Sequence, residues 1–211
     1  MLGRYPYVEP SRCLTRNEGD AQLKAIIAAG ITTFVSLQQE LPPQHEMRLA
    51  GIDGFLPYRA PAQIIAAGRS EPPSLEEISS LRTPELDRYL PPRRSPPSYV
   101  SRRRIELDFL HSPIVDLGLP GQEQLMNLVM SLSSRLSRGE TLYVHCWGGR
   151  GRAGTVGAAL LAHLYGLDAD EALHRVQLAF DTRNDEQRRS PETDEQRAFV
   201  KTFVNALGAM Q

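Results

Sequence analysis

Val144-His145-Cys146-Trp147-Gly148-Gly149-Arg150-Gly151-Arg152-Ala153-Gly154-Thr155 is the stretch that decides how this chain folds. Thr141 to His145, just before the cysteine, reads as a short apolar strand, and the small and apolar run from Arg152 through Leu164 reads as a helix buried on most sides. The segment is therefore a strand, a glycine-rich turn and a helix. Glycines at 148, 149 and 151 let successive backbone N–H groups turn inward around a small anion, and the first turn of the helix adds unpaired N–H groups and the positive end of its dipole. The same field stabilises a thiolate at Cys146. Arg152, six positions after the cysteine, carries a planar fork that can grip two phosphoryl oxygens.

Outward from this segment, strands and helices alternate, which indicates an α/β architecture. Asn17 to Gly30 reads as a helix ending at a glycine, and Ile31 to Leu37 as a buried strand. Ile105, Leu107 and Phe109 alternate as a strand, and Ser112 to Pro120 reads as a loop by its proline and glycine content. Leu125, Leu128, Val129, Leu132 and Leu136 place an amphipathic helix over Gly121 to Arg138. Asp168 to Glu171 resembles a capping box opening another helix, and Glu195 to Leu207 forms the last. Between Pro72 and Pro97 lie seven of the 16 prolines, so regular structure there is limited to a short helix near Leu75 to Leu81. Arg88, Arg93, Arg94, Arg102, Arg103 and Arg104 follow with no acidic residue between them, as either a solvated face or a docking site.

The 211 residues carry 24 Lys+Arg against 25 Asp+Glu, and this balance argues against a general attraction to nucleic acid or membrane. There is no apolar run long enough for a membrane span and no signal-peptide pattern at the start, so the expected location is cytoplasmic. Cys13 and Cys146 are too few for a disulfide framework and lack zinc spacing. His45, His111, His163 and His174 show no ligand spacing and read as ordinary surface or helix residues. No metal or cofactor is expected.

With these residues in place, His145-Cys146-Trp147-Gly148-Gly149-Arg150-Gly151-Arg152 resembles the HC-x5-R loop of the cysteine-dependent protein tyrosine phosphatase superfamily, specifically its dual-specificity branch. The resemblance implies a central mixed, mostly parallel sheet flanked by helices, in a single catalytic domain over 1–211 with a Pro/Ser/Arg-rich insertion at about 68–104. It implies a nucleophilic Cys146, a phosphate-binding Arg152 and a backbone cradle over Trp147, Gly148, Gly149, Arg150, Gly151 and Arg152. His145 would be structural, and Trp147 would line the rim or simply pack. Asp116, in an upstream loop similar to the family's acid loop, would protonate the leaving oxygen, a contribution of about 10²–10⁴-fold. Ala153 stands where the family has Ser or Thr, with Thr155 the nearest hydroxyl. Glu192 stands where a first water-orienting glutamine is expected, and Gln196 matches the second. The implied activity is phosphomonoester hydrolysis on phosphoproteins through a phosphocysteine, with phosphotyrosine and also phosphoserine or phosphothreonine as substrates. Two alternatives are a phosphatase of phosphoinositides, inositol phosphates or phosphoglucan, and a phosphate-binding trap with little turnover. The expected partner is a phosphorylated protein, with no nucleic acid.

Overall fold

The computed structural model describes residues 1–41, 51–68, 106–183 and 188–208. In chain order its elements are β1 (Leu2–Gly3), α1 (Arg16–Ala28), β2 (Thr33–Gln38), α2 (Arg59–Ala67), β3 (Asp108–Ile114), α3 (Gln122–Ser137), β4 (Leu142–His145), α4 (Gly151–Tyr165), α5 (Ala169–Asp181) and α6 (Asp194–Gly208). The sheet order is β1-β4-β2-β3, and every pairing among the described residues is parallel. The resemblance implied an α/β fold with a mixed, mostly parallel sheet flanked by helices, and the α/β architecture is the one found, with the described strands all parallel. The short helix expected near Leu75 to Leu81 and the arginine cluster Arg88 to Arg104 lie outside the described residues.

Alternation along the strands builds two cores. Val35, Leu37, Leu142 and Val144 face α3, α4, α5 and α6, whereas Phe34 and Tyr143 face the side of α1 and α2 with Tyr5, Phe55 and Tyr58. Each fully buried large side chain contributes about 1.5–3 kcal/mol of transfer free energy. The small residues of α4 let neighbours approach closely: a Cβ at Gly154 would overlap the Ser190 hydroxyl. Thr15 and Glu18 form a reciprocal capping box at the start of α1, and Asp168 caps α5 through the Glu171 N–H at 2.8 Å.

Three boundaries differ from the sequence reading. β3 continues through Ser112 and Pro113 to Ile114, where a loop was expected. Proline is tolerated because β3 is an edge strand and the register slips between Ser36/His111 and Gln38/Ile114. His111 therefore lies in a strand, with Nε2 2.8 Å from the Gln38 carbonyl oxygen. α2 contains Pro61, which its first turn accommodates without loss of a helical bond. β1 is only two residues long and has no periodicity to read.

Candidate functional site

Parallel strands present their carboxyl ends on one edge, which is where open α/β sheets bind ligands. Here β2 delivers Glu40, β3 delivers Asp116 and β4 delivers Cys146 to that edge. Asp116, Cys146 and the loop that follows line a cavity of about 340 Å³ together with Glu192, the loop contributing Trp147, Arg150 and Arg152.

The loop after β4 is held from behind. A trans peptide sets its C=O and the following N–H in opposite directions, so a donor on a carbonyl turns the next N–H the other way. The Cys146 carbonyl accepts from His145 Nδ1 at 3.3 Å, and the Trp147 carbonyl from the Tyr5 N–H at 2.8 Å. The Gly148 carbonyl accepts from Arg183 at 3.3 Å, and the Arg150 carbonyl from the Ser190 hydroxyl at 2.9 Å. The Gly151 carbonyl accepts from Thr155 Oγ1 at 3.0 Å. Gly149 has φ 70, and a Cβ there would collide with the Gly3 and Arg4 backbone, so the tight passage against β1 requires glycine. These contacts hold the 146–152 loop in place through its carbonyls.

His145 is completely buried, and burial pushes its pKa down to about 3. With Nδ1–H assigned to the Cys146 carbonyl, Nε2 accepts from the Tyr58 hydroxyl at 2.8 Å. Its role is structural, as the sequence indicated. Because the unfolded histidine titrates near 6.5, the unfolded chain gains a proton below that pH that the folded chain refuses. Stability should therefore fall as pH drops from about 6.5 toward 3, by about 1.4 kcal/mol per pH unit from this group. Urea midpoints measured between pH 6 and 4 should show a steeper decline in the wild type than in His145→Gln; parallel declines would exclude this contribution.

Arg152 is 2% exposed and fully committed. Its two terminal nitrogens bind Glu40 at 2.6 and 2.9 Å, Nη1 donates to the Ile114 carbonyl at 3.1 Å, and Nη2 lies 2.8 Å from Asp116 Oδ1. Burial works against its charge, but the Glu40 bond and the surrounding negative groups outweigh it and raise its pKa. Burial likewise works against the Glu40 carboxylate, and the bond from Arg152 leaves its pKa lowered overall. Asp116 sits on a turn closed by the Gly118 N–H and Val115 carbonyl at 2.9 Å. The next residue, Leu117, has φ 57, a left-handed conformation that costs about 1–3 kcal/mol for a branched side chain.

The structure thus brings Cys146, Arg152 and Asp116 together. Arg150 lines the pocket and ion-pairs with Glu192, which resolves the open choice about its direction. Burial lowers its pKa, and the nearby Arg188 and Arg12 charges lower it further. Trp147 both lines the rim and packs edge-on against Phe55, with centroids 5.4 Å apart. Gln196 is buried: its Oε1 accepts from the Glu192 and Thr193 N–H groups at 3.0 and 3.2 Å, and its Nε2 donates to the Gly118 carbonyl at 3.2 Å. It ties the acid loop to the start of α6. Sequence reading missed Glu40, Glu9, Arg4, Arg12 and Arg188, all on segments with no local motif. Among the described residues there is no cluster of His, Cys, Asp and Glu able to hold a metal, and no helix long and apolar enough to cross a membrane.

The Swiss Army Knife DSP-PTPase phosphatase domain model (PTP-SAK) matches residues 61–200, about two thirds of the chain. The chain belongs to this phosphatase family. The match spans the proline-rich stretch and does not cover α1 and β2, although both are integral to the sheet and core. The DSP-PTPase fold is also seen in solved structures. Tk-PTP in its active form is 24% identical with a TM-score of 0.50, over 88% of this chain and 86% of that one. Kinase associated phosphatase carrying serine at its catalytic cysteine is 18% identical with a TM-score of 0.55, over 98% and 85%. PTPMT1 in complex with PI(5)P is 15% identical with a TM-score of 0.51, over 90% and 87%. At these identities the likeness is one of fold. A comparison with curated proteins finds no match.

Proposed function

We propose that this phosphatase hydrolyses phosphomonoesters on phosphoproteins, phosphotyrosine together with phosphoserine or phosphothreonine, through a phosphocysteine at Cys146. The observation that carries this reading is the convergence of Cys146, Arg152 and Asp116 on one cavity at the carboxyl edge of the sheet. The substrate phosphate would sit in the 147–152 cradle, its oxygens taking the Arg152 nitrogen that Asp116 now occupies. The Cys146 thiolate attacks phosphorus and the ester P–O bond breaks, while the Asp116 carboxyl gives its proton to the departing oxygen. Asp116, now a carboxylate, takes a proton from water as the water oxygen bonds to phosphorus. The S–P bond then breaks, releasing phosphate and restoring the thiolate.

Glu40 would orient Arg152 without touching substrate. Arg152→Lys keeps a charge but loses the fork that bridges Glu40 and phosphate. Its kcat/KM for p-nitrophenyl phosphate should fall by about 10²–10³-fold, the cost of removing one aimed transition-state donor. A lysine variant within threefold of wild type would remove Arg152 from this role.

A second reading, a polyanionic non-protein phosphate, is favoured by the arginines of the lining, Arg4, Arg12, Arg150, Arg152 and Arg188. Phosphopeptides, inositol phosphates and solubilised phosphoglucan assayed side by side with wild type and Cys146→Ser separate the readings. Cysteine-dependent turnover of peptides alone supports the first. Turnover of inositol phosphates or glucan alone replaces it with the second.

A further inference from the structure

A carboxylate in the wall of an anion pocket opposes binding unless it has other work. Glu9 is such a group, lining the cavity yet only 2% exposed. Its Oε2 accepts from Trp147 Nε1 at 2.9 Å, from the Ser11 N–H at 2.9 Å and from the Ser11 hydroxyl at 2.7 Å. Burial works against its charge, but the donors from Ser11 and Trp147 lower its pKa overall, so it remains a carboxylate. Its own backbone is anchored, since the Glu9 N–H donates to the Cys13 carbonyl at 2.9 Å.

Trp147, the residue directly after Cys146, is consequently gripped three times: by the Tyr5 N–H on its carbonyl, by Glu9 on its indole N–H, and by Phe55 against its ring. The indole stays 37% exposed on the pocket rim, and Leu117 and Phe180 are the other large apolar side chains of the lining. An aromatic ring is worth most as a wall when it is immobile, because its partner then orders no side chain on binding.

We propose that Glu9 is a positioning residue that sets specificity, holding Trp147 as a fixed aromatic wall so that aryl phosphomonoesters are preferred over alkyl ones. The proposal rests on the phosphatase reading of the pocket. A phosphotyrosine ring would lie along the apolar rim, whereas a phosphothreonine side chain is too short to cover it. Glu9→Gln keeps a carbonyl oxygen for the indole N–H, and Glu9→Ala keeps none.

The test compares kcat/KM for a phosphotyrosine peptide and a phosphothreonine peptide of the same sequence, with emission from Trp147, the only tryptophan, as an independent reporter. In Glu9→Ala the aryl-to-alkyl ratio should fall about tenfold, through KM for the aryl peptide, and Trp147 emission should move to the red. Glu9→Gln should stay close to wild type in both. An unchanged ratio in Glu9→Ala, an equal loss on both peptides, or equal loss in the Ala and Gln variants overturns the proposal. If Glu9→Ala does not fold, Trp147→Phe, which keeps an aromatic ring but replaces the indole by a smaller phenyl that cannot donate to Glu9, should lower the ratio; an unchanged ratio there overturns it equally. Wild-type protein that hydrolyses neither peptide removes the phosphoprotein reading and this proposal with it, whereas an active wild type with an insensitive ratio removes this proposal alone.

Discussion

Cys146→Ser is expected to lower kcat/KM for p-nitrophenyl phosphate by about 10⁴-fold or more, into the range seen when the nucleophile of a covalent mechanism is removed. The substitution changes one atom. Cys146 is 3% exposed and packs with Val144 and Ala153 in the larger core, and serine fits that space without a cavity. What it would lose is the proposed nucleophile, because a serine hydroxyl is a far weaker nucleophile than a cysteine sulfur unless a base activates it. The cradle itself depends on carbonyls held from behind by Tyr5, Arg183, Ser190 and Thr155, none of which touches the sulfur in a way serine would alter. Binding of a phosphorylated peptide and the melting temperature should therefore stay near wild type while hydrolysis disappears. Hydrolysis within tenfold of wild type would mean that another group attacks phosphorus, and the mechanism proposed here would be lost.

Sequence carries contiguous signals and conceals those assembled across distance. β4, the glycine turn and α4 were legible because a single run of twelve residues holds the strand pattern, the φ-permissive glycines and the helix start. α3 was legible for a similar reason, five apolar residues recurring on one face. Glu40 was not, since it meets Arg152 across 112 positions and nothing in Gln38-Gln39-Glu40-Leu41 marks it out. The only available clue was its place just beyond the carboxyl end of a buried strand, where parallel sheets collect ligands. Glu9 had no clue at all, as its segment shows no periodicity. Gln196 was marked by a family pattern, and the structure adds that its amide is bound to the Glu192, Thr193 and Gly118 backbone. Thr155, the nearest hydroxyl after Ala153, is similarly taken by the Gly151 carbonyl. Spacing locates a side chain without showing what has already bound it.

Asp116→Asn should separate the two halves of the proposed chemistry, because its effect depends on the leaving group. An alkoxide from phosphoserine or phosphothreonine is too basic to depart without a proton, so deleting the acid should lower its turnover by about 10²–10⁴-fold. p-Nitrophenolate departs readily by itself, and its loss should be markedly smaller. Asparagine retains an oxygen that can accept from Arg152 Nη2, so the 2.8 Å contact and the position of the turn are preserved. Any loss then reports proton transfer, with Arg152 and the cradle unaffected. Side-chain exposure of 54% gives the carboxyl ready access to water for the hydrolytic step. Burst kinetics should then show the phosphocysteine form accumulating with p-nitrophenyl phosphate in the variant, since the same carboxylate would serve as base toward water. An equal loss on both leaving groups would assign Asp116 to holding Arg152 and leave the proton to another source.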